Sequence, residues 1–135
     1  MRLNPHLTFN GDCETAFRFY EKCLGGKSMI MRYRDTPMAR EVPVEWQEKV
    51  LHTTLTVDNY LLQGADVVPE QYQKPQGFSV MLNIPSAEGA ERIFNALSEN
   101  GSVVIPMQET FWALRFGTLT DQFGIPWAIN CGKPA

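Results

Sequence analysis

The stretch QETFWALRFGTLTDQFGIPWAIN, residues 108–130, decides the fold. It opens on a charged and aromatic entry, Glu109, Thr110, Phe111 and Trp112, and continues as a strand-like run over about 113–120. A tight break follows at Asp121–Gln122–Phe123–Gly124, where the Asp121 side chain can hold the turn by hydrogen bonding. A second strand starts at Pro126–Trp127 and runs over 126–131. Aromatic residues here alternate with polar ones, as they do on a sheet with one packed face and one face lining a pocket. Large aromatics dominate burial, so Trp112 and Trp127 are expected in the core first, with one of them serving as a pocket wall.

Working backwards, residues 102–107 read as another strand, and Asn100–Gly101 ends a helix whose apolar stripe is Ala90, Ile93, Phe94 and Leu97. Ser86 is its N-cap. Before it lies a strand at 78–84, with Phe78, Val80, Leu82 and Ile84 on one face. The same order occurs earlier in the chain. Residues 6–10 read as a strand, Asp12 as an N-cap, and Ala16, Phe17, Tyr20, Cys23 and Leu24 as a helical stripe stopped by Gly25–Gly26. Strands follow at 28–34, 50–58 and 60–63, with Asp58–Asn59 as a hairpin turn. The polar stretch 35–49 reads as a long loop or irregular helix. Its Trp46 either marks a lid or contact surface or folds back on the core.

Each half is therefore strand, helix, three strands. The chain reads as one α+β domain over 1–135, with module one at about 4–67, a linker at 68–77 and module two at 78–132. One helix covers only one face of each βαβββ sheet. The expected architecture is two modules forming a curled mixed sheet around a central cleft. On the strand 50–58, His52, Thr54 and Thr56 share the parity opposite Leu51, Leu55 and Val57, so these polar residues are expected to face the cleft.

Composition narrows the function. The 135 residues are 44% hydrophobic and 20% charged, with net charge −3, which suits one globular domain and gives no electrostatic pull toward nucleic acid. No apolar run approaches membrane-spanning length. MRLNPHLTFNG lacks the apolar core of a secretory signal. Cys13, Cys23 and Cys131 form no CxxC, so reduced packing thiols in a cytoplasmic protein are expected. No phosphate-cradling glycine loop, GxSxG or HExxH occurs.

Two βαβββ units in a chain of this size resemble the vicinal oxygen chelate superfamily, which holds glyoxalase I, bleomycin- and fosfomycin-resistance proteins and extradiol dioxygenases. The finer resemblance is to its PhnB-like branch. It rests on NPHLTFNGDCETAFRFYEKCLGG at 4–26, Thr36–Pro37–Met38, His52, Gln76–Gly77–Phe78, AERIFNALSENG at 90–101 and QETFWALRFGTLTDQFGIPWAINC at 108–131. Glyoxalase-like members hold a divalent metal with four inward His or Glu residues. Carried onto this chain, those positions fall at Pro5 or His6, at Gln63 or Gly64, at Phe78 or Ser79, and at Ala128 with Asn130 next on the same face. At most one strong ligand survives, so no cofactor is predicted and the usual metal is expected to be absent, the alternative being a weak site held by His6 together with His52.

The resemblance then implies a small-molecule-binding protein. Its candidate ligand-binding residues are His6, His52, Thr54, Gln63, Glu109, Trp112, Arg115 and Asn130. One alternative is a metal-dependent isomerase, lyase or transferase of the glyoxalase type, with a divalent ion polarising the substrate. Another is a structural or interaction domain. A homodimer is expected in any of these cases.

Overall fold

A computed structural model describes residues 1–134. They form two compact units, Met1–Gln73 and a second from Lys74 onward. Each unit carries one helix and one open four-stranded mixed sheet. Among the described residues, no helix is long and apolar enough to cross a membrane.

In the first unit β1 (His6–Phe9) leads into α1 (Cys13–Leu24), followed by β2 (Lys27–Arg32), β3 (Val50–Val57) and β4 (Tyr60–Asp66). The sheet order is β1-β4-β3-β2, with β1 parallel to β4 and the other pairs antiparallel. α1 buries Cys13, Ala16, Phe17, Tyr20 and Cys23 against one sheet face. Leu7, Phe9, Thr53 and Leu55 are buried on that face. Gly64 lets the helix come close, since a Cβ there would lie 2.6 Å from the Phe17 ring.

The helix cap differs from expectation. Asp12 stands at the N-cap but makes no side-chain bond to the helix. The first turn is instead served by Asp66, at the far end of β4. Its Oδ1 accepts from the N–H of Gly11 (2.9 Å) and Cys13 (3.0 Å), and its Oδ2 from that of Val50 (3.0 Å). One buried carboxylate thus ties together the ends of β4, β1–α1 and β3. At its other end α1 stops at Gly25, whose N–H donates to Glu21 O.

The strand expected at 28–34 ends at Arg32, because a bulge at Met31/Arg32 and a 3₁₀ turn at Tyr33–Asp35 redirect the chain. Two further 3₁₀ turns, Pro37–Glu41 and Val44–Trp46, fill the stretch before β3. The Gln47 amide nitrogen ties this stretch together by donating to Ala39 O and Val42 O. Trp46 packs edge-on against Tyr33, ring centroids 6.1 Å apart.

The second unit repeats the order with β5 (Val80–Asn83), α2 (Ala87–Ser98), β6 (Ser102–Gln108), β7 (Ala113–Thr120) and β8 (Pro126–Gly132). Its sheet order is β5-β8-β7-β6. Ser86 Oγ caps α2 by accepting from Gly89 N at 3.0 Å. α2 buries Ala90, Ile93, Phe94 and Leu97, and Trp127, Ile129 and Leu119 are buried on its side of the sheet. The strand expected at 78–84 is shorter, and Phe78 precedes it, 51% exposed. Asp121 shapes the β7–β8 turn: Oδ1 accepts from Phe123 N and Ile125 N, and Oδ2 from Trp127 Nε1.

Candidate functional site

The helix covers one face of the first sheet, and the other face gathers most of the polar candidates. Register sets His6 opposite Gln63, Gln63 opposite Thr54, and Thr54 opposite Met29. These four residues make one row across β1, β4, β3 and β2. Directly opposed residues carry Cβ atoms roughly 4.5–5.5 Å apart, so neighbours in the row touch. His52 sits two residues before Thr54 on the same face, opposite Met31. Its ring stacks on that of His6 at 6.0 Å and 24°. Its Nε2 and Thr54 Oγ share a hydrogen bond of 3.2 Å. Met29 and Met31 are 80% and 49% exposed and give the patch an apolar border.

Among the described residues, the strands of this face place no carboxylate in the row or beside it. Burial, and then the charge His52 would carry, push the His6 pKa below the ordinary histidine value. The His6 imidazole is therefore an uncharged hydrogen-bonding group at neutral pH. With Gln63 and Thr54 the face offers donors and acceptors but no fixed anion. Lys27 stands on the same parity at the outer edge, opposite Thr56.

The candidates of the second unit divide between its two sheet faces. Asn130 lies on the helix-free face, its Nδ2 donating to Asn83 Oδ1 at 3.0 Å. Trp112 departs from the expectation of a core residue. It is 47% exposed and packs between Phe111 and Phe116, at 4.9 and 5.3 Å. Arg115 goes to the other side, because it shares the parity of Gly117 and Leu119, which face α2. Its Nε bonds Glu91 Oε1 of α2 at 3.2 Å. Glu109 pairs with Lys133 at 3.2 Å. The structure therefore groups His6, His52, Thr54 and Gln63 in one unit and Trp112 and Asn130 in the other, and holds Arg115 and Glu109 in ion pairs. Asn83 was missed by sequence reasoning, although the alternation that turns Val80 and Leu82 toward α2 turns Asn83 away from it.

The donor set can be tested against the metal of the wider superfamily. Among the described residues no three His, Cys, Asp or Glu side chains cluster to hold an ion. The imidazoles of His6 and His52 stack nearly parallel, so their in-plane lone pairs run side by side instead of converging at the 2.0–2.1 Å a zinc–nitrogen bond requires. Gln63, beside His6, is a neutral amide. In the second unit Ala128 and Asn130 occupy the corresponding part of β8. These residues do not fit a tightly held transition metal.

The three cysteines are buried. Burial and then the nearby Asp66 push the Cys13 thiol far up, away from nucleophilic use. A cavity of about 430 Å³ in the first unit is lined by Glu14, Arg32, Arg34, Glu48 and Lys49 among others. Its cations already have partners: Arg32 grips Glu14 with two bonds, Arg34 pairs with Glu48, and Lys49 Nζ donates to Gly11 O.

Comparison with known proteins agrees with this fold. Residues 1–130 match the family model described as 3-demethylubiquinone-9 3-methyltransferase. Protein YjdN of Escherichia coli (strain K12) is 31% identical over 142 residues, covering 98% of this chain and 97% of that protein. The crystal structure of protein PA1353 from Pseudomonas aeruginosa is 40% identical with a TM-score of 0.90, covering 99% of both chains. A Bacillus cereus PhnB protein, described as a putative 3-demethylubiquinone-9 3-methyltransferase, superposes with a TM-score of 0.79 at 21% identity, over 98% of this chain and 100% of that one. A glyoxalase/bleomycin resistance protein/dioxygenase family enzyme from Burkholderia phytofirmans PsJN shares the fold at 10% identity, with a TM-score of 0.68 and coverage of 96% and 97%. The chain belongs to the PhnB-like 3-demethylubiquinone-9 3-methyltransferase family, within the glyoxalase/bleomycin resistance/dioxygenase fold.

Proposed function

We propose that the protein binds a small, partly apolar molecule on the helix-free face of its first sheet, without a transition metal. The carrying observation is the row His6–Gln63–Thr54, with His52 stacked on His6 and bonded to Thr54. A sheet face of this kind normally presents scattered polar side chains to water. Here four hydrogen-bonding groups converge beside two exposed methionines, the mix of polar anchors and apolar border typical of ligand sites. The ligand's polar end would bond the imidazoles and the Gln63 amide, and its apolar part would cover Met29 and Met31.

Methyl transfer, the activity in the family's name, gains no support from this chain's residues. Open α/β sheets hold nucleotide-like cofactors at the turn from first strand to helix, where free N–H groups face the ligand. Here the Gly11 and Cys13 N–H groups are taken by Asp66, itself a carboxylate.

Metal analysis of protein purified without chelators tests the metal-free part. Substoichiometric metal is expected, with ligand binding unchanged by EDTA. One tightly held divalent ion per chain, whose removal abolishes binding, would overturn it.

A further inference from the structure

The helix-free face of the second unit carries an arrangement that does not depend on the histidine face. Register sets Asn83, Asn130, Phe116 and Gln108 side by side across β5, β8, β7 and β6. Residues so opposed are in contact distance. Asn130 Nδ2 donates to Asn83 Oδ1. Asn130 Oδ1 is shut off from solvent and has no hydrogen-bond partner. Asn83 is exposed, and its own Nδ2 takes no partner among the described residues. The pair thus has one unused donor, on Asn83, and one unused acceptor, on Asn130. Next to it Trp112 packs on Phe116 at 5.3 Å, and the Phe111 ring leans on Trp112, 89% exposed.

We propose that this row recognises a planar ring carrying a lactam or carboxamide edge. The ring stacks on Trp112 beside Phe116. Its carbonyl accepts from Asn83 Nδ2 and its N–H donates to Asn130 Oδ1. Stacking selects a flat π system. The paired amides select adjacent N–H and C=O groups, because an amide edge is the complement of another amide edge. An anion is disfavoured, since Arg115 is turned toward α2 and held by Glu91. Because Asn130 Oδ1 is closed to water, neighbouring side chains must shift to admit the ligand, and half-exposed Trp112 has room to do so.

The test uses the full chain and two probes, quinolin-2(1H)-one and its N-methyl analogue, followed by tryptophan fluorescence. The lactam should quench the signal and bind about tenfold or more tightly than the analogue that lacks the N–H, since a site built around a hydrogen bond discriminates against its loss. Trp112→Phe should remove most of the quenching. Asn130→Leu and Asn83→Leu should each abolish the preference. Asn83 is exposed, so its variant is expected to fold normally. Absence of lactam binding, or a preference that survives both asparagine variants, would overturn the proposal. The measurement is repeated in a His52→Ala chain, where the same result is expected, so this row and the histidine face stand or fall separately.

Discussion

Replacing Asp66 by alanine should be among the most destabilising single changes in the chain. The carboxylate is 1% exposed and accepts from three backbone N–H groups on three separate segments. Its loss leaves those donors out of reach of water, and an orphaned buried donor costs about 1–3 kcal/mol. The costs do not add fully, because the first turn of α1 can fray and expose Gly11 and Cys13. A net loss of about 3–5 kcal/mol follows, a large share of the stability of a domain this size. Asp66→Asn should cost less, about 1–3 kcal/mol, since Oδ1 keeps two bonds while the new amide nitrogen faces Val50 N–H. Burial raises the Asp66 carboxyl above 3.8, against the pull of the three N–H groups and Lys49. The folded state therefore holds this proton more tightly than the unfolded one. Wild-type stability gains from this group as pH falls through the raised pKa, and the gain is complete below 3.8. The alanine variant lacks that gain, so its deficit should be larger at acid pH than at neutral pH. Urea denaturation reads all of this as a fall in midpoint at unchanged slope. A loss under about 1 kcal/mol for the alanine variant would refute the assigned role.

Further expectations concern the turn after α1, the histidines and the thiols. Gly25 and Gly26 both have positive φ, +81° and +84°, but a Cβ at Gly25 meets nothing while one at Gly26 would lie 2.1 Å from Thr56 O. Gly25→Ala should cost about 1 kcal/mol and Gly26→Ala clearly more, by urea denaturation. Because the folded-state pKa of His6 is lowered from 6.5, the unfolded chain takes up this proton first. Stability should be level above about pH 6.5 and fall as pH drops from there through the folded pKa. His6→Gln should flatten that part of the curve, and an unchanged curve would contradict the assignment. Cys13, Cys23 and Cys131 are all buried, so a thiol reagent should modify them only at the rate of unfolding. Fast labelling of the native chain would contradict their burial.

The element order was legible because each half repeats strong local signals. The helical stripes, Ser86 and Gly25–Gly26 all act within a few residues of where they stand. The face carried by His52 and Thr54 followed from strand parity alone, since alternation over β3 is regular. What escaped were features set by distant residues. Asp66 caps a helix more than fifty positions earlier in the sequence, and nothing local marks it as different from a hairpin-end aspartate. The strand expected to run to 34 ends at Arg32, where 3₁₀ turns take over. Arg115 faces α2 because 115, 117 and 119 are the packed parity of β7, although Leu114 and Phe116 make the other parity look the more apolar. Trp112 lies at a loop end, where burial depends on tertiary packing and not on periodicity. His6, His52 and Asn130 stand out in the sequence, but the stacking of His52 on His6 and the register that sets Asn83 opposite Asn130 exist only in the fold.

The most direct test of the central proposal is an amide NMR titration of the chain, in EDTA, with a library of small polar–apolar molecules. Ligands should shift the resonances of His6, His52, Thr54 and Gln63 together, and His52→Ala with Gln63→Ala should weaken the best ligand by about tenfold or more, some 1.4 kcal/mol. Binding that leaves those four residues unshifted, or that survives the double substitution at full strength, would contradict the proposal.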